Sequence, residues 1–172
     1  MTVSETDERR PPPVDQAALR EVCGRFLTGV TVIACQGDGR EPAGLTVNSF
    51  TSVSLDPALV LFCVHTGSRM LSEIRAAGAF AVSFLAADQA TLCRSFARRE
   101  SASFEGVPHL RAATGSPVLT GALAHLDCRF RATYPGGDHR IVLGEVVGAG
   151  LQNEQQPLAF YRSGHPRLEA RT

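Results

Sequence analysis

Between Gly44 and Leu55 the chain sets Thr46, Asn48, Ser52 and Ser54 at alternate positions, with Leu45, Val47, Val53 and Leu55 on the other phase. At the two-residue period of a strand, one side is apolar and the other carries short hydrogen-bonding groups. Charges and long polar side chains, which surface strands usually include, do not occur in the stretch. If that side is enclosed, each unpaired hydroxyl or amide costs about 1 to 3 kcal/mol, so a ligand rich in acceptors and donors is its natural partner. On composition alone, an ordinary Ser/Thr-rich strand and turn is the commoner source of such a pattern. Two further places could do chemistry. Ser68 and Arg69 stand where a short helix through Met70, Leu71 and Ile74 begins, and such an N-terminus can hold a phosphate, although serine caps usually hold no ligand. His139 follows Gly136-Gly137-Asp138, where a histidine is more often a surface residue than part of a site.

Composition removes several alternatives. All seventeen basic residues of the 172-residue chain are arginine, so a Schiff-base lysine and the phosphate-binding lysine of a P-loop are absent from it. Seventeen acidic residues balance them, leaving no positive field for nucleic acid. Cys23, Cys35, Cys63, Cys93 and Cys128 are widely spaced and read as buried, reduced thiols. The five histidines, His65, His109, His125, His139 and His165, lack the close pairing of a zinc site, so no metal is expected. Gly-x-Gly-x-x-Gly does not occur; the nearest run, Gly144 to Gly150, has the wrong spacing. Gly-x-Ser-x-Gly is missing as well. A polar N-terminus without an apolar signal region, and no run near the roughly 20 apolar residues that span a bilayer, give a cytoplasmic expectation.

The elements that must position these residues follow from periodicity. Residues 1–13, with Pro11-Pro12-Pro13, read as a disordered tail; 14–165 as one domain; 166–172 as a C-terminal tail. Asp15 is placed to cap a helix carrying Leu19, Val22, Cys23 and Phe26 and left at Gly29. A strand over 30–35 and a turn at Gly37-Asp38-Gly39 make the Gly44 stretch the second arm of a hairpin. Asp56-Pro57 breaks that arm, and 58–64 reads as a buried strand. After the Ser68 helix, ended by Gly78, come a strand over 80–85 and a helix capped by Asp88 with Leu92 and Phe96 on one face. Arg98-Arg99-Glu100 reads as a solvated end, and 101–117 as an irregular loop of the kind that covers sites. From Ala122 to Tyr134 the alternation is unbroken; Pro135-Gly136-Gly137 turns the chain back through Ile141, Leu143, Val147 and Leu151, and 157–162 is a last strand. Repeated strands with a few short helices predict a mainly β fold, a closed or nearly closed antiparallel barrel.

Three segments together resemble a known family: Phe26-Leu27-Thr28-Gly29-Val30-Thr31-Val32, the stretch from Gly44 to Asp56-Pro57, and Gly137-Asp138-His139. They are similar to the short-chain flavin reductases of two-component monooxygenase systems, over about residues 19–161. The resemblance implies a split-barrel flavin-binding fold of Greek-key-like connectivity, a homodimer, and NADH- or NADPH-driven reduction of FMN or FAD for a partner monooxygenase. It implies flavin contacts from Thr46, Val47, Asn48, Ser49 and Ser52, from Cys63 and Val64 at the end of the next strand, and from Ser68, Arg69 and Phe96. The family frequently carries a hydroxyl where this chain has Met70. Gly137, Asp138 and His139 would border the nicotinamide, with His139 orienting it by hydrogen bonding. Hydride transfer belongs to the cofactors, so no residue is assigned as a catalytic acid or nucleophile. Two other functions fit a barrel of this kind: an oxidoreductase that keeps its flavin and acts on an organic substrate, and a non-enzymatic flavin carrier.

Overall fold

The computed structural model describes residues 13–37, 41–97 and 104–169. Most of the predicted tails, the tip of the first hairpin turn, Arg98-Arg99-Glu100 and the start of the 101–117 loop lie outside the described residues. Strands β2 (Thr31–Cys35), β3 (Ala43–Val47), β4 (Thr51–Leu55), β5 (Ala58–His65), β6 (Ala79–Phe84), β9 (Ala124–Gly136) and β10 (His139–Leu151) form a seven-stranded sheet in the order β3-β2-β6-β9-β10-β5-β4. Every neighbouring pair is antiparallel. Two-residue strands β1 (Thr28–Gly29) and β11 (Ala159–Phe160) pair with each other, as do β7 (His109–Arg111) and β8 (Pro117–Leu119).

The sheet curls without closing by hydrogen bonds. Its edges, β3 and β4, are consecutive in the chain and joined by residues 48–50, yet they do not pair. A closed barrel is therefore corrected to an open-edged mainly β sheet. The reason lies at Asn48-Ser49-Phe50, where the expected single strand breaks, so that Val53 and Leu55 are exposed while Val47 is buried. Side chains from both ends of the sheet nevertheless share one core: Ile33, Val47, Phe62, Phe80, Val82 and Val142 meet Met70, Leu71 and Ile74 of helix α2 (Arg69–Ala77). Phe62 and Phe80 pack edge to face with centroids 5.2 Å apart. On the opposite face of β2 and β6, a second core gathers Val30, Val32, Leu85, Cys93, Phe96, Phe104 and Leu119 around helix α3 (Ala90–Phe96).

Local rules explain where elements start and stop, and where the expectations needed correction. Asp15 caps helix α1 (Gln16–Cys23), its carboxylate accepting from Ala17 and Ala18 N–H at 3.1 Å. The helix ends at Gly24 and not at Gly29, because Gly29 is drawn into pairing with Ala159. None of its residues is buried; Leu19 and Val22 face outward, and Phe26 just beyond is 75% exposed. Ser68 caps α2 and Gly78 closes it, as predicted. Asp88 is not a cap. It lies inside a 3-10 turn over 87–89, where the Gln89 side chain takes the Ala86 N–H instead. The 58–64 run is a strand buried at alternate residues only, because its partners β4 and β10 leave its other face open. The last strand shrinks to Ala159–Phe160. Among the described residues, no helix is long and apolar enough to cross a membrane.

Candidate functional site

Edge strand β3 presents one unpaired backbone edge, and the cleft lies beside it. The cavity measures about 460 Å³ and is walled by β3, residues 48–49, the end of β5, the N-terminal turn of α2 and His139. Nine of the predicted residues line it: Thr46, Val47, Asn48, Ser49, Cys63, Val64, Ser68, Arg69 and His139. Four do not. Ser52 is exposed on β4, opposite Val60. Gly137 and Asp138 form the β9–β10 turn, Gly137 at φ 68° where a side chain would be strained. Phe96 is fully buried, its ring centroid 4.9 Å from that of Phe104.

Phe96 acts on the cleft from behind. A Cβ on Gly44 would sit 2.7 Å from two Phe96 ring carbons and 2.9 Å from Phe104, so only glycine lets β3 lie this close to α3. That approach brings the Thr46 hydroxyl to the Cys93 carbonyl at 2.8 Å. Ser49 is spent on the fold in a similar way: its oxygen accepts from Cys63 N–H at 3.0 Å and its hydroxyl faces the Cys63 carbonyl at 3.5 Å. The short hydroxyls expected to meet a ligand thus fasten the strand and the chain break to their neighbours. Asn48, exposed at the rim, makes no side-chain hydrogen bond to another described residue.

At the far wall, Ser68 Oγ accepts the Met70 N–H at 3.3 Å, and the first turn of α2 opens beside it. The Arg69 guanidinium, 69% exposed, reaches Glu73 at 3.7 Å, a contact loose enough for an incoming anion to displace. Two imidazoles complete the cleft. The register of β5 against β10 sets His65 opposite His139, with ring centroids 5.5 Å apart. Gly67 N–H donates to His65 Nδ1 at 3.1 Å, so that nitrogen carries no proton and Nε2 is the donor. His139 Nδ1 lies 2.7 Å from Asp138 Oδ1, which orients its ring. That hydrogen bond, with the histidine's charge, holds the Asp138 carboxyl below its usual value.

Sequence reasoning missed His65, Gly67 and Glu73 as lining residues. Periodicity along one strand does not reveal which residue stands across from it, and the pairing of His65 with His139 was the missing signal. A wider hollow of about 970 Å³ lies on the other side of Asn48 and Ser49, walled mostly by apolar groups including Phe26, Leu27, Phe50, Phe84 and Phe160. The smaller cleft, where hydroxyl, guanidinium and imidazole groups converge, is the candidate site; the hollow adjoins it through Asn48-Ser49. The donor set fits a flavin nucleotide: a strand edge and an amide for a flat heterocycle, a capped helix start with an arginine for phosphate.

Comparison with known proteins gives a consistent picture. The family described as "Flavin reductase like domain" matches residues 23–169. The chain is 40% identical over 156 residues to the flavin-dependent monooxygenase reductase subunit HsaB of Rhodococcus jostii, covering 91% of this chain and 80% of that one. It is 46% identical over 153 residues to an NADH-dependent FAD reductase of Streptomyces globisporus, covering 86% and 83%. Among solved structures, the Streptomyces globisporus NADH:FAD oxidoreductase SgcE6, in complex with NAD and FAD fragments, superposes with a TM-score of 0.84 at 42% identity, over 90% of this chain and 93% of that one.

Proposed function

This chain belongs to the flavin reductase-like family, and from that premise we propose that it oxidises NADH, reduces FAD or FMN, and releases the reduced flavin to a separate monooxygenase. The observation that carries the reading is the cleft itself: nine residues assigned from the resemblance line one cavity of about 460 Å³ at an open sheet edge. When bound, flavin and nicotinamide supply the hydride chemistry between them. The chain's own residues bind, orient and exclude water. The β3 edge and Asn48 hold the polar rim of the flavin ring, while Ser68 and Arg69 at the start of α2 take its phosphate. Cys63 and Val64 contribute backbone at the end of β5, the Val64 side chain being buried in the core. His139, held by Asp138, orients the nicotinamide by hydrogen bonding and needs no proton transfer of its own. A strand edge held by a single face of contacts suits a flavin that exchanges.

A split barrel and a homodimer complete the proposal. The break between β3 and β4 is the split in a sheet that otherwise curls round one core. No residue of helix α1 is buried; its Leu19 and Val22 stand exposed, as do Phe26 and Leu27, which line the apolar hollow, and a second copy would cover this surface. Phe26→Asp is expected to yield monomers in light scattering. Such a reductase works in the cytoplasm, where NADH is available.

The test is a steady-state assay crossing NADH and NADPH with FMN and FAD. Continuous NADH oxidation sustained by excess free flavin is expected. No turnover beyond a single bound equivalent would instead support a retained flavin, and flavin that binds yet is never reduced would leave a carrier.

A further inference from the structure

The turn joining β5 to α2 is tied to the β9–β10 turn by a contact that no assigned role uses. Thr66 directs both its backbone N–H, at 3.0 Å, and its hydroxyl, at 3.2 Å, to one acceptor, the carbonyl oxygen of Asp138. Asp138 is the residue whose carboxylate orients His139. Its peptide lies in a two-residue turn, with Gly137 at φ 68°, closed by the pairing of His139 with Gly136 and His65, and residues 136–138 and Thr66 are exposed. The Thr66 side of the contact is itself stiff: Ser68 N–H reaches the His65 carbonyl at 2.9 Å, and Gly67 N–H reaches His65 Nδ1 at 3.1 Å. The same turn leads into Ser68 and Arg69. One short segment therefore carries the proposed phosphate corner at one end and clamps the support of His139 at the other.

The geometry points to Thr66 as a positioning residue: by holding the Asp138 peptide, it sets the angle at which His139 meets the nicotinamide. This rests on the reductase reading above. Thr66 touches neither reacting cofactor in the assignment and contributes through Asp138 alone. Thr66→Val keeps the branched shape and the backbone bond and deletes the hydroxyl bond; Thr66→Ser keeps the hydroxyl.

Losing one hydrogen bond of ordinary strength gives about a fivefold rise in KM for NADH in Thr66→Val. KM for flavin and the melting temperature should stay close to wild type, since Thr66 is exposed. Thr66→Ser should restore the wild-type KM. The decisive arm is a double-mutant cycle: in a His139→Ala background, Thr66→Val should add nothing, because the group it positions is gone. An unchanged KM in Thr66→Val, an equal rise for flavin and NADH, or the same fold-change with and without His139 would each overturn the role of Thr66 while leaving the reductase reading standing. A wild-type enzyme inert toward NADH and every flavin would overturn the reductase reading, and the role of Thr66 with it.

Discussion

Replacing Gly44 with alanine should damage both stability and flavin binding. The added Cβ would lie 2.7 Å from Phe96 Cδ1 and Cε1 and 2.9 Å from Phe104 Cε2. Carbon atoms at ease sit about 3.5 to 4.0 Å apart, so roughly 0.8 Å of relief is needed. Phe96 has little room to give it: the ring is fully buried in the cluster that holds Val32 and Leu85, against Phe104 at 4.9 Å between centroids. The edge strand β3 is the cheaper element to move, paired on one side only. Moving it away from α3 stretches the Thr46–Cys93 hydrogen bond and shifts the cleft wall by the same distance. Overpacking costs about 1 to 3 kcal/mol and the weakened bond about 1 more. Reduced unfolded-state freedom returns about 0.4 to 1 kcal/mol, too little to cancel. A net loss of about 2 kcal/mol corresponds to a fall in melting temperature of roughly 4 to 8 °C for a domain of this size. Calorimetry measures the first effect and flavin KM the second. Phe96→Leu, which removes ring volume at the clash, should rescue part of both, so that the double variant is less damaged than the sum of the singles. A Gly44→Ala protein melting within a degree of wild type, or a double variant additive to within about 0.5 kcal/mol, would refute the close-approach reasoning.

Ser49→Ala leaves the Cys63 N–H without its 3.0 Å acceptor at a partly buried position and should cost about 1 to 3 kcal/mol in urea unfolding, with weaker flavin binding because residues 48–50 lose their tie to β5. His139→Ala should raise KM for the nicotinamide more than KM for flavin; equal effects on both in the steady-state assay would argue against its assigned side of the cleft. Burial pushes the thiols of Cys35 and Cys128 up from 9.0 to about 12, with Glu73 adding to the first and Asp127 to the second. A folded pKa above the unfolded one means stability is full below about pH 9 and declines toward pH 12, as the unfolded thiols ionise and the folded ones do not. Cys35→Ala should flatten that alkaline decline in urea titrations at pH 9 to 11, and a thiol reagent near neutral pH should spare Cys35 and Cys128; Cys23, expected among the buried thiols, is exposed in the single chain.

The legible parts of the fold were those decided within a few residues of chain. The Asp15 and Ser68 caps and the Gly78 stop depend on side-chain and backbone chemistry that no distant partner overrides, while the reversal read at Pro135-Gly136-Gly137 falls at Gly137-Asp138, with Pro135 and Gly136 still in β9. The alternation expected from Ala122 begins at Ala124, and it is clearest where β9 is paired with both β6 and β10, over Ala124 to Arg129, although Asp127 on the polar side is buried. Errors arose wherever a distant strand took over a local signal. Gly29 looked like a helix stop until Ala159 claimed it, and the two-residue rhythm from Gly44 to Leu55 ran across a break that is fastened from outside by Cys63. The site follows the same division. A row of short polar side chains marked the right stretch, but their hydroxyls turned out to bind Cys93 and Cys63 in the fold itself, leaving the strand edge and Asn48 to face the cleft. Which side chains a strand offers is written along it; which of them remain free is decided by what packs behind. Phe96 illustrates the point most sharply: it does not line the cleft as the resemblance implied, yet it shapes the cleft by standing behind Gly44, so that the absence of one carbon in front of the ring matters more than any contact the ring itself makes with the space beyond.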